Sequence, residues 1–302
     1  MVPRDWALVV FTVLTQAAVG AFLTLLILRN LTATAETPLR SCARWAHATV
    51  LAVLALGMVA ALFHLSEPFE AVRAVVNVRS SWLSREVIFG GLFSLRLGAL
   101  LLMEWRETRW SRVTHWLGWT AAATAVTFLV CQIKIYLLPA QPVWNSLATP
   151  LAFAGTALRL GVLGVAVGLV CCRVDETSRE QKSVHSDGTT FATLRGLALL
   201  GLVGLVAELV VMALQLAPLA DAMPAAALAS ARRLTEDYAG VLVTRLLLLV
   251  VAAACIVVVI VGKVSGQTHK LPAMTIVAFV VVLVSEVCGR FLFYASRVTV
   301  GI

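Results

Sequence analysis

Leu271-Pro-Ala-Met-Thr-Ile-Val-Ala-Phe-Val-Val-Val-Leu-Val-Ser-Glu-Val-Cys-Gly-Arg-Phe-Leu-Phe-Tyr294 decides the fold. It is almost wholly apolar and long enough for a helix to cross the bilayer, which takes about 20 residues. Seven more such runs lie upstream, separated by polar, Arg-bearing or Pro-bearing breaks: Trp6 to Leu28, Ala46 to Phe63, Val87 to Met103, Leu117 to Leu138, Pro150 to Cys172, Leu194 to Leu216 and Ala239 to Val261. The expectation is an all-α integral membrane protein, with eight transmembrane helices in one bundle and a single domain over residues 1–302. Ala33-Thr34-Ala35 follows the first run like a signal cleavage site. That run exceeds the 7 to 15 apolar residues usual in a signal, so it reads as a retained span.

Composition agrees. Of 302 residues, 60% are hydrophobic and 13% charged, and the mean hydropathy of +0.93 excludes a water-soluble enzyme. The formal net charge of +8 does not indicate nucleic acid, because most cations sit just outside apolar runs, where anionic lipid headgroups are the counter-charge. An even number of spans puts both termini on one side of the membrane. The loops opposite the termini carry twelve Lys and Arg and the termini side eight, so the positive-inside rule places the termini outside the cytoplasm.

Cys42, Cys131, Cys171, Cys172, Cys255 and Cys288 form no CxxC, CxxCH or ferredoxin spacing, so neither an iron–sulfur cluster nor a c-type haem is expected in this chain. His47, His115, His185 and His269 lie at span ends or in loops on the face opposite the termini. No two histidines sit within spans at matched depth as b-type haem ligation requires, and a His47/His115 haem near that face is the alternative left open. Any redox role therefore needs a diffusible lipid-soluble carrier and a partner that handles electrons.

Ionisable residues within spans are costly against lipid, so they face the bundle interior, pair, or line a wet pathway. Arg96, Arg159, Glu208, Arg245, Glu286 and Arg290 qualify, mostly in the half nearer the termini. Glu286 and Arg290 are four apart on one helix, a spacing that predicts an ion pair. At the termini-side surface His64 ends the second span and Glu86 begins the third, where neighbouring helix ends could bring them together. A capping or surface role is the plainer alternative. The loops over residues 64–86, 173–193 and 217–238 are about 20 residues each, too short for a separate catalytic domain.

Trp6-Ala-Leu-Val-Val-Phe-Thr-Val-Leu-Thr-Gln16 with Gly20, Phe63-His64-Leu65 with Pro68, Ser84-Arg85-Glu86, Trp144-Asn-Ser-Leu-Ala-Thr-Pro150 with Phe153, and Glu286-Val-Cys-Gly-Arg290 with Phe293-Tyr294 follow one another along the whole chain. In order and spacing they resemble the membrane anchor subunit, or C subunit, of the dimethyl sulfoxide reductase family of molybdopterin oxidoreductases. The resemblance implies a bacterial inner-membrane protein of anaerobic-type respiration. It implies a subunit that binds menaquinol and exchanges electrons with a ferredoxin-like, four-cluster iron–sulfur partner, which feeds a molybdopterin catalytic subunit. The family's quinol site is matched here by His64 and Glu86.

The chemistry suits those two residues. Quinol oxidation releases two protons with two electrons; an imidazole titrates near neutrality and can take one, and a carboxylate can relay it. Arg79, Arg85 or Arg73 near the pocket would stabilise ionised Glu86 or hold a quinone oxygen, and Trp82 would pack on the headgroup. Competing expectations are a secondary transporter, whose charges would line a substrate path, and a purely structural anchor. All nine prolines fall in loops or first turns, whereas transporters favour broken helices.

Overall fold

The computed structural model describes residues 5–31, 38–63, 77–106, 112–178, 186–217, 225–262 and 270–298. These form nine helices and no strand: α1 Asp5–Leu31, α2 Pro38–Leu62, α3 Trp82–Trp105, α4 Arg112–Tyr136, α5 Ala148–Ser178, α6 Ser186–Leu216, α7 Ala225–Thr235, α8 Ala239–Val261 and α9 Leu271–Ala295. Eight of them, all but α7, are long and apolar enough to span a membrane. The helices overrun most of the boundaries read from hydropathy because a helix continues into the headgroup zone, where polar residues are at no disadvantage. Residues 173–178 and 186–193, read as loop, are turns of α5 and α6. The stretch over 217–238 likewise holds α7, with Arg232 and Arg233 in its last turn, where cations oppose the helix dipole.

The long helices run alternately up and down. The rings of Trp6 in the first turn of α1 and Phe291 near the end of α9 approach to 5.3 Å, so both chain ends lie at one end of the bundle. α1 is central, packing on α2, α4, α5 and α9. Its crossing with α5 is backbone on backbone: a Cβ on Gly20 would collide with the carbonyl of Ala157, and one on Gly161 with the backbone of Gly20. Helices in lipid gain little from the hydrophobic effect, and small residues that permit such approach are how they adhere.

The bundle divides by depth. The half away from the termini is filled by Phe22, Phe93, Leu97, Leu100, Leu160 and Leu163, all 2% exposed or less. One polar group closes that end: Glu104 of α3 accepts from Arg29 of α1 at 2.5 Å and lies 2.9 Å from His47 Nδ1 of α2. The termini half holds the buried charges. Outward faces of α6 and α8 expose Leu200, Val203, Val206, Leu247 and Val250, the surface lipid would cover.

Candidate functional site

Glu86 lies one turn inside α3, whose first turn is capped by Ser81 Oγ accepting from the Ser84 N–H at 3.3 Å. Its carboxyl is 5% exposed and faces the side-chain amide of Gln132 on α4. Gln132 Nε2 donates to Thr15 Oγ1 at 2.9 Å. Its Oε1 accepts from Gln16 Nε2 at 3.3 Å. Gln16 Oε1 in turn accepts from Arg290 Nη2 on α9 at 2.6 Å.

Beyond Arg290 the series of contacts continues across the bundle. Arg290 also reaches Thr156 Oγ1 on α5 at 3.3 Å, and Thr156 donates to Glu286 Oε2 at 2.6 Å. Glu286 Oε1 accepts from Arg159 Nε at 2.6 Å. Arg159 Nη2 meets Glu208 Oε2 of α6 at 2.5 Å, and Arg245 of α8 donates to the other oxygen of Glu208. Seven of the eight spans contribute. Glycines make room for the long cations: a side chain at Gly204 would strike the stem of Arg159, and one at Gly289 the guanidinium of Arg245.

The Glu286–Arg290 pair expected from spacing is not formed. Glu286 turns to Arg159, whereas the acceptors of Arg290 are Gln16 and Thr156. Its guanidinium also lies 3.9 Å from the centre of the Phe153 ring, a cation–π contact. Buried ions take the partner that satisfies most donors, and Arg159 can face two carboxylates where Arg290 faces none. Arg96 stands apart, half-buried, with its guanidinium 3.5 Å from the carbonyl of Leu92 on its own helix.

An aromatic cluster packs against Arg290 of this network. Tyr136 and Tyr294 share a 2.7 Å hydroxyl contact, Trp144 stacks on Phe293 with centroids 5.0 Å apart, and Trp144 Nε1 donates to the Phe293 carbonyl at 2.8 Å. Phe153 closes it, at 5.4 Å from Tyr136.

Of the candidate quinol-site residues that are described, Glu86, Arg79, Trp82 and Arg85, Glu86 is the one that faces the interior network, which the span charges Arg159, Glu208, Arg245, Glu286 and Arg290 also form. Arg85, Arg79 and Trp82 form a separate surface group. Arg85 donates to the carbonyls of Val78 at 2.9 Å and Arg79 at 2.8 Å, and its guanidinium lies 4.2 Å from the Trp82 ring centre. Its donors are thereby engaged by the turn before α3, and the side chain of Arg79 is exposed. His64 and Arg73 lie outside the described residues. Gln132, Thr156 and Tyr136 were not anticipated; the available signal was that an amide or hydroxyl inside an apolar span needs a partner almost as much as a charge does.

Eight apolar spans joined by buried polar contacts define a multi-pass integral membrane protein. Residues 2–296 match the family model described as DMSO reductase anchor subunit (DmsC), and the protein belongs to that family. It is 28% identical to the C subunit of the anaerobic dimethyl sulfoxide reductase of Escherichia coli (strain K12), over 99% of this sequence and 96% of that protein. It is also 28% identical, over the same shares, to the anaerobic dimethyl sulfoxide reductase subunit YnfH of that strain. The C subunit of the Haemophilus influenzae anaerobic dimethyl sulfoxide reductase is 27% identical over 97% of this sequence and 95% of its own length.

Proposed function

We propose that this anchor subunit binds menaquinol at the end of the bundle where its termini lie. There it passes electrons to a ferredoxin-like iron–sulfur partner that serves a molybdopterin catalytic subunit in the bacterial inner membrane. The observation that carries the reading is Glu86: a carboxyl buried one turn below the end of a span, facing the amide of Gln132, with the paired Tyr136 and Tyr294 hydroxyls at the same end of the bundle. A quinol is a flat aromatic diol; a carboxylate can take a proton from such a hydroxyl, and neutral phenols can hydrogen-bond to it.

In this reading a quinol headgroup enters between helix ends and leaves its isoprenoid tail among apolar side chains. Bound quinol supplies two electrons and two protons. Glu86 accepts one proton, held in place by Gln132, and His64, by its resemblance to the family site, accepts the other. The electrons leave for the partner docked at the same end. Uninterrupted spans favour this fixed scaffold over a transporter, which moves by broken helices.

The test is Glu86→Gln and, separately, His64→Gln in the purified complex, comparing quinol-driven turnover with dye-driven turnover that bypasses the anchor. Loss of the first with the second intact supports the reading. Quinol-driven turnover unchanged in Glu86→Gln refutes the role of Glu86, and equal loss of both turnovers means misassembly and withdraws support from the site.

A further inference from the structure

We propose that Arg290 is a positioning residue for Glu86: through two buried amides it fixes which way Gln132 points, so that the carboxyl always meets an N–H. The inference rests on the reading of Glu86 as a proton acceptor for quinol. A primary amide can be turned end for end with little change of shape, so its hydrogen bonds alone decide its orientation.

Here the decision propagates from one end. A guanidinium only donates, so its 2.6 Å contact commits the carbonyl of Gln16 to Arg290. The amino group of Gln16 must then face Gln132 and donate to its carbonyl, at 3.3 Å. That leaves Gln132 presenting N–H groups, one to Thr15 Oγ1 at 2.9 Å and one for Glu86. Thr15 accepts because its own proton goes to the Phe11 carbonyl at 2.7 Å. Gln16, Gln132 and Thr15 are each 1% exposed or less, so bulk water does not compete for these bonds.

Charge gives Arg290 a reason to act on something outside its own surroundings. Arg159, Arg245 and Arg290 face only Glu208 and Glu286 within the linked network, and Arg290 is the cation whose contacts are neutral. Glu86, two amides away, becomes the matching anion when it gives up its proton.

Other groups near Glu86 do not fix the amides. The titratable groups nearest it are Tyr136 and Cys131 on α4, Tyr294 on α9 and Arg85 before it on its own helix, whereas Arg290 lies beyond the two amides. α1 offers only the uncharged Thr12, Thr15 and Gln16, and the half of α2 nearest this end, residues 51–62, has no titratable residue. His64 lies outside the described residues.

Two substitutions separate amide orientation from mere packing. Gln16→Glu keeps the shape and gives Arg290 a carboxylate, but it offers oxygen to Gln132, which must reverse and turn its carbonyl toward Glu86. Arg290→Lys loses the planar fork and the flat contact with Phe153, yet it remains a donor-only cation. The expected result in the intact complex is that Gln16→Glu moves the acidic limb of quinol-driven turnover upward by about one pH unit or more, with dye-driven turnover unchanged, while Arg290→Lys retains the wild-type profile. A wild-type profile in Gln16→Glu, or an equal shift in Arg290→Lys, overturns the proposal. Should Gln16→Glu fail to assemble, Gln16→Met cuts the relay without adding charge and is held to the same criterion. Glu86→Gln in the same assay keeps the two ideas apart: if it retains quinol-driven turnover the quinol reading falls, and if it abolishes turnover while Gln16→Glu keeps its profile only the relay falls.

Discussion

Replacing Arg159 and Glu286, singly and together, tests whether the buried charges hold the bundle together. Arg159 is 1% exposed and bonds Glu286 at 2.6 Å, Glu208 at 2.5 Å and the Gly204 carbonyl at 3.1 Å. Arg159→Met leaves Glu286 with Thr156 alone and Glu208 with Arg245 alone. Stranding a buried ion in this way costs about 3–5 kcal/mol. Glu286→Met should cost at least as much, because three guanidinium groups then face a single carboxylate. The double variant restores the wild-type charge balance and fills the space with apolar groups, a change that is often neutral or stabilising when both partners go together. It should therefore be more stable than either single variant, with a coupling of roughly 3 kcal/mol or more. The assay is unfolding of the purified protein by denaturing detergent, followed by tryptophan fluorescence. Single costs that add within about 0.5 kcal/mol would refute the reasoning.

Three further outcomes are expected. Gly20→Leu drives a side chain into the α5 backbone and should cost more than the ~1–3 kcal/mol of ordinary overpacking, seen as loss of folded protein in mild detergent; normal yield and melting would contradict the crossing. Tyr136→Phe removes the 2.7 Å contact to Tyr294 and should cost about 1–3 kcal/mol by leaving a buried hydroxyl unpaired, while Tyr136→Phe with Tyr294→Phe should cost less than Tyr136→Phe alone in the same melt. The excess of Lys and Arg in the loops opposite the termini predicts that alkaline phosphatase fused at the C-terminus is active in intact cells; an inactive phosphatase with a fluorescent cytoplasmic reporter at the same position would reverse the topology.

The spans were legible because a membrane imposes one strong rule on composition, and each run from Trp6 to Tyr294 obeys it. What that rule does not read is helix outside the hydrocarbon layer. α7 was invisible for that reason: Ala225–Thr235 is short, with exposed Arg232 and Arg233, and resembles the loop in which it sits. The buried charges were also legible one by one, since each is expensive in lipid. Their pairing was not, because the four-residue spacing of Glu286 and Arg290 is a local rule and the bonds that win are tertiary. Gln16 and Gln132 carry no charge to draw attention, although their carbonyls and amino groups are as demanding of partners once water is gone. Arg79, Trp82 and Arg85 look like neighbours of Glu86 in sequence, but the turn before α3 and the first turn of α3 leave them at the surface while Glu86 points in.

Helices that share a lipid solvent have little apolar reason to prefer one neighbour over another, so the polar contacts specify the arrangement. Each span is tied in by at least one. α1, α3, α4, α5, α6, α8 and α9 meet in the network from Glu86 to Arg245, and α2 is fastened at the opposite end by His47 to Glu104 and through it to Arg29. Arg159 and Arg245 hold Glu208 and Glu286 in fixed ion pairs, between groups that cannot trade protons cheaply. Glu86 differs in facing an amide instead of an arginine. The carboxyl of the network that no arginine holds thus stands at its outer end, nearest the face where the protein begins and ends, which is where the proposed exchange of protons with quinol needs it.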